Sequence, residues 1–150
     1  MPENLIEVWF RVHKDADRFP EHRDWEGLKC SPQGGNVYEV RSVPFYLKEV
    51  AYGDRIVADK NEKGWLEFKS IASRGGYSVF RLWLRREDES PLVVVKELVD
   101  LGFLVEFERR LIAFAVPPEK NLDEVDSYIC GGVECDRWGE QDGFVFEHKK

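Results

Sequence analysis

Nine carboxylates lie between Glu119 and Glu147, opposed only by Lys120 and Arg137. That stretch alone carries −7, the same as the net charge of the whole chain. Residues 1–118 are close to balance, with 18 bases against 20 acids, and Lys149 and Lys150 end the chain. Crowded carboxylates attract a cationic surface over a distance; they do not by themselves make a reaction at one atom. Trp138 falls inside the run Glu134–Asp142. An aromatic ringed by carboxylates has the composition of an interface anchor with a steering rim. The expected partner-binding residues are therefore Asp123, Asp126, Glu134, Asp136, Trp138, Glu140 and Asp142. The bland alternative is a solvated face that promotes solubility.

Other chemistry is sparse. His13, His22 and His148 stand in polar surroundings, and none has a second histidine at zinc spacing. His22 near Asp24 has the residue types of an oriented base, without a diagnostic spacing. Cys130 and Cys135 are separated by four residues and could in principle bind a metal with Cys30 or His148, but structural zinc sites normally show tight paired-cysteine units in two copies. Cys130 is expected on the apolar side of a helix end. There is no phosphate-cradling glycine loop and no nucleophile elbow. No catalytic residue, metal or cofactor is expected. Two lesser sites remain. One is an anion groove at the bend Gly75–Arg81, using Ser78 and Arg81. The other is an open sheet face that stacks RNA on Trp83 with Phe107 or Phe114, among Arg81, Arg85, Arg86, Arg109 and Arg110. The charge balance disfavours nucleic acid.

The elements that must position these residues change character midway. Leu5–Val12, Trp25–Cys30, Val37–Val43, Asp54–Ala58 and Trp65–Ile71 read as short strands. The turn formers Ser31–Asn36 and Asn61–Gly64 make hairpins between them, with Gly64 free to take positive φ. Tyr77–Arg85 alternates, with Phe80, Leu82 and Leu84 on one face and Val79, Arg81 and Trp83 on the other. Ser90-Pro91 is an N-cap followed by proline, and Val94, Val95, Leu98 and Leu101 form the apolar stripe of a helix ended by Gly102. Leu104–Glu108 and Leu111–Val116 pair around Arg109-Arg110. Asn121 caps a second helix with Leu122, Val125 and Ile129 inside and Gly131-Gly132 as its stop. Phe144–Phe146 is the expected last strand.

The fold class is thus α+β. A small antiparallel β-sheet or barrel lobe over 1–75 precedes a ferredoxin-like βαββαβ lobe over 76–150, the two making one compact unit or two. Hydrophobic content of 43% is ample for a packed interior. No apolar run approaches the roughly 20 residues of a membrane span. The N-terminus lacks a signal peptide's pattern, and three cysteines argue against a disulfide framework, so a reducing cytoplasm is expected.

Several first-half residues carry a family pattern: Trp25-Glu26-Gly27-Leu28, Tyr38, Val43-Pro44-Phe45, Tyr52-Gly53-Asp54, Phe68, and Gly76-Tyr77-Ser78 followed by Arg81. Together they resemble the bacterial family called domain of unknown function 4265, over residues 5–85 with a weaker continuation. The resemblance implies a small soluble bacterial protein and no particular reaction. Read with the charge map, the expectation is a non-enzymatic, acidic binding protein of the immunity or antitoxin type. Its partner is a basic, toxin-like protein, since nucleases must carry cations to hold phosphates. The alternatives are a small-ligand or nucleotide-binding domain and an RNA-associated module.

Overall fold

The computed structural model describes residues 4–12 and 24–146. His13, His22 and His148 lie outside them. The first five strands are β1 (Ile6–Arg11), β2 (Trp25–Gly34), β3 (Val37–Val40), β4 (Arg55–Lys60) and β5 (Leu66–Ser73), which follow one another around a closed barrel. Sequential neighbours are antiparallel, and a parallel contact of β1 with β5, Trp9 opposite Glu67, closes the ring. Alternation puts Val8, Phe10, Leu28, Cys30, Val40, Ile56 and Ala58 inside. β2 is longer than its apolar run predicts. It continues through Ser31-Pro32-Gln33-Gly34, leaving only Gly35-Asn36 for the turn, and the register shifts between Pro32 and Gly34. Proline fits a strand at such an irregularity because no ladder donor is missed there. In the β4–β5 turn, the Asn61 side chain accepts from the Lys63 and Trp65 amides, and Gly64 takes φ 81° as expected.

The second sheet uses β6 (Ser78–Leu84), β7 (Leu104–Glu108), β8 (Leu111–Val116) and β9 (Trp138–Asp142), in the order β7-β8-β6-β9 with every neighbouring pair antiparallel. α1 (Pro91–Asp100) links β6 to β7, and α2 (Leu122–Glu134) links β8 to β9. The described residues are therefore α+β, with two sheets and two helices. Ser90 and Asn121 cap the helices by accepting from the amides two residues on. α1 ends as predicted. Gly102, at φ 93°, donates to Val99 and Phe103 donates to Leu98, satisfying the last carbonyls.

Four local expectations need correction. Gly131-Gly132 does not stop α2; the helix runs to Glu134 and ends on the same kind of turn, with Asp136 at φ 58° and Arg137 donating to Gly132. A left-handed aspartate does what a glycine does at α1. The last strand is Trp138–Asp142, because that turn delivers the chain directly into pairing with β6; Phe144–Phe146 lies beyond it. Cys130 is exposed, and Leu101, the C-cap of α1, is also exposed.

Each side of the second sheet has a different cover. Phe80, Leu82, Leu84, Ile112 and Phe114 face the helices with Val94, Leu98, Val125, Ile129 and Trp138. The opposite side presents Val79, Ala113 and Ala115, which pack against Val43 and Ala51 from the β3–β4 connection, with Phe45, Tyr52, Tyr77 and Phe144 around them. Small alanines let that connection approach the sheet closely. The sheet is thus buried between helices and the barrel's own long loop.

Candidate functional site

The acidic residues are only partly brought together. On α2, Asp123, Asp126 and Glu134 follow at helical spacing and are all exposed. On β9, alternation turns Trp138, Glu140 and Asp142 to the helix side of the sheet and Gly139 and Gln141 to the other. Trp138 is consumed by the core. Beyond it, Glu140 lies within the influence of the Asp142 charge on its own strand and the Asp126 charge on α2. The Glu140 carboxyl is pushed above the usual carboxylate range, first by partial burial, then by the charge of Asp142 and a hydrogen bond to it, and by the charge of Asp126. Among the described residues, no lysine or arginine pairs with any of these three. Asp136 stands apart, 3.8 Å from Arg85 in the turn after α2.

Trp138 is not the interface anchor its setting predicts. It is 1% exposed and donates its indole N–H to the Ile129 carbonyl at 3.0 Å. The ring is pressed against Gly132, stacks near Tyr128 at 5.2 Å, and is covered by the Arg137 guanidinium at 4.7 Å. Arg137 is held in turn by Glu89 at 2.7 Å and Glu97 at 3.2 Å. Composition placed the tryptophan among acids, but the strand's alternation points it inward.

Ser78 and Arg81, expected to line an anion groove, are both buried and bonded within the fold. Ser78 is buried, and its hydroxyl accepts from the Phe146 amide at 2.9 Å. Arg81 is wholly buried and donates to the carbonyls of Pro44, at 3.2 Å, and Leu47, and to Gln141 Oε1 at 3.2 Å. Burial lowers its pKa to about 10, with Glu26 and Glu49 opposing the shift, so the side chain stays charged at neutral pH. Glu26 accepts from the Phe45 and Tyr46 amides, and Glu106 from the Val43 amide. Asp54, also buried, accepts from the Ala51 and Gly75 amides and from Arg74. These charges hold the 43–54 connection to both sheets, so they fix the fold and are not open to a ligand.

Two clusters sit at the surface. Trp9, Trp25 and Trp65 gather outside the barrel, with centroids 5.3 and 5.7 Å apart and Arg11 and Lys63 over two of the rings. Sequence inspection missed this group. Its only signal is that Trp9 alternates with the inward Val8 and Phe10. At the far end of the second sheet, Arg85 and Arg110 line one depression with Trp83, Leu84, Glu87 and Asp136, and Arg110 donates to the Arg86 carbonyl. Arg81 and Phe114 drop out of the group expected around Trp83 because both are buried. Phe107 is exposed but lies on β7 opposite Ile112, with the helix-side residues.

The family model described as Domain of unknown function (DUF4265) matches residues 26–139. The chain belongs to this family. For a DUF4265 chain the matched segment is instructive, since it opens at Glu26 of β2 and closes at Gly139 of β9, leaving out β1 but taking in parts of both sheets and the buried charges Glu26, Asp54 and Arg81. It starts later and reaches further than the motif residues suggest. Among solved structures, one described as a "Novel crystal structure of a hypothetical protein from Neisseria gonorrhoeae" is similar, with a TM-score of 0.78 and 11% identity. The similarity covers 99% of this chain and 100% of that one, and at that identity it speaks to fold alone. No curated protein matches the sequence. The DUF4265 assignment carries no reaction. Among the described residues no group of His, Cys, Asp and Glu is arranged to hold a metal ion, and no helix is long and apolar enough to cross a membrane.

Proposed function

We propose that this DUF4265 protein is a non-enzymatic binding protein that docks a basic protein partner on the acidic surface of α2 and β9. The observation that carries the proposal is the convergence of Asp126, Glu140 and Asp142 without a described cation. Like charges brought this close raise the energy of the free protein, and a cationic partner relieves it. Asp123 and Glu134 extend the negative field along the helix, which steers encounter more than it adds affinity. Trp138 has no part in the contact, and Asp136 little. A bacterial immunity protein or antitoxin that covers the cationic surface of a nuclease has this design, and a cytoplasmic site of action belongs to the same proposal. The lobe from β6 to β9 we take to be ferredoxin-like; its strand order and all-antiparallel pairing support that.

The test is association kinetics with a panel of purified basic secreted nucleases. Asp126→Asn, Glu140→Gln and Asp142→Asn combined should slow the on-rate about tenfold at low salt and flatten its salt dependence. Identical on-rates for variant and wild type, or no binding to any cationic protein, would refute the docking surface.

A further inference from the structure

Among the described residues the second sheet has two edge strands, and they are built differently. β9 carries Glu140 and Asp142. β7 is Leu104-Val105-Glu106-Phe107-Glu108, with no lysine, proline or bulge to blunt it. We propose that the β7 edge, with the flank of α1 above it, docks a second copy of this chain and joins the two sheets across a twofold axis.

The phase of the ladder leaves this edge open. The Leu84 amide donates to the Arg110 carbonyl at 3.0 Å. Arg110, Ile112 and Phe114 therefore turn their backbone groups to β6, and Leu111, Ala113 and Ala115 turn theirs to β7. The partners of those three are Glu108, Glu106 and Leu104. The N–H and C=O groups of Val105 and Phe107 consequently point away from the sheet, and no strand among the described residues pairs with them.

The helix adds an apolar flank. Glu97 accepts from Tyr128 of α2 at 2.7 Å, so that flank of α1 is turned toward α2. Leu92, Val95 and Val99 recur at i, i+3 and i+7, which puts them on the opposite flank, and α1 packs chiefly over β7. Phe107 pairs with Ile112 and shares its side of the sheet, the side of the helices. Leu92 is 62% exposed, Val99 53% and Phe107 44%, an apolar strip on the order of 300 Å², the scale of a functional patch. A stable complex covers about 800 Å² on each partner. The strip alone is smaller, so backbone pairing must complete it, and the dimer is expected to be reversible.

Shape and charge select a second copy. A strand edge with a helix flank beside it is matched by another such edge, and an isologous contact presents the same patch twice. The chain carries −7, so two copies approach best where acids are sparse. The acids of β9 and α2 gather at the opposite edge of the sheet. Glu106 and Glu108 alternate to the other side of β7, and Glu106 is held there by the Val43 amide at 2.5 Å. At the rim of the strip, Lys96 and Asp100 lie 3.1 Å apart and offer both signs to a copy.

The test is sedimentation velocity of the full chain from micromolar to near-millimolar concentration, with reductant present because Cys130 and Cys135 are exposed. A reversible dimer is expected, and added salt should leave it unchanged or tighten it, since the monomers carry like net charge. Leu92→Glu puts an acid in the first turn of α1, which suits a helix, and should weaken the dimer at least tenfold. Phe107→Pro removes an outward amide, spares the ladder to β8 and should weaken it likewise. Far-UV circular dichroism checks that each variant folds; if Phe107→Pro does not, Leu92→Glu decides. Asp126→Asn with Glu140→Gln should retain the dimer, which separates this edge from the docking surface. A monomer at every concentration overturns the proposal, as does a dimer that the folded variants form as well as wild type. A dimer dissolved by salt, or lost with the two acids, would lie on the acidic surface and overturns it equally.

Discussion

Glu140 shows how a surface carboxylate reports on its neighbours. It is raised by partial burial first and by the nearby Asp142 and Asp126 charges next, so the folded protein takes up this proton before the unfolded chain does. Its contribution to stability is therefore fully present below the ordinary carboxyl range and is lost as pH rises through the raised folded value. Glu140→Gln removes that loss. We expect the variant to be more stable than wild type by roughly 0.5 kcal/mol at pH 7, the scale of like charges on neighbouring sheet positions, with no advantage in acid. Urea unfolding at both pH values checks the sign. A variant less stable at pH 7 would mean that Glu140 has a stabilising partner instead. By the same linkage, docking of a basic partner should fade with falling pH earlier than ordinary carboxylates would dictate. The acids themselves were legible in the sequence. The burial of Trp138 was not, because composition counts neighbours along the chain and the strand's alternation decides which of them share a side.

At the scale of one helix, α2 sets two adjacent glycines against each other. A Cβ at Gly132 would lie 2.0 Å from the Trp138 ring, whereas a Cβ at Gly131 meets nothing within 4 Å. Gly132→Ala must displace a wholly buried indole and its hydrogen bond to Ile129, so it should destabilise the fold by about 3 kcal/mol. Gly131→Ala adds helix propensity on an exposed face and should stabilise by about 0.7 kcal/mol. Chemical denaturation of the two variants decides the matter; similar effects in both would show that the indole does not depend on Gly132. The glycine pair reads in sequence as a helix stop because glycine usually punctuates. Here one of them admits a ring and Asp136 performs the stop. The elements whose signals are local were legible: Ser90-Pro91, Gly102, Asn121 and Gly64 each act as their residue types dictate. The start of β9 was not, since Gly139, Glu140, Gln141 and Asp142 carry no strand-like composition and pair only because β6 offers an edge.

For the molecule as a whole, the connection 43–54 is the joint. Arg81 of β6 and Glu26 of β2 hold the same short run, the one through the Pro44 and Leu47 carbonyls and the other through the Phe45 and Tyr46 amides. Barrel and sheet are thus tied through one segment by opposite charges that compensate each other at a distance. Such residues look like surface charges in a sequence, and their only signal is placement. Glu26 alternates with the inward Leu28 and Cys30, and Arg81 stands within Val79–Leu84, an otherwise apolar strand. Arg81→Met preserves most of the volume but leaves two buried carbonyls and the Glu26 charge without their donor or counter-charge. It should cost about 3 kcal/mol. Glu26→Gln keeps one acceptor and should cost about 1 kcal/mol. Because both act on Pro44–Leu47, the double variant should lose less than the two single losses together, by roughly 1 kcal/mol. In wild type, tryptophan fluorescence, three of whose five sources lie on the barrel, and far-UV circular dichroism should report one coincident unfolding transition. Strict additivity of the two substitutions would show that Arg81 and Glu26 serve their own sheets separately, and barrel and sheet would then owe their association to the apolar cluster around Val43 and Ala51 alone.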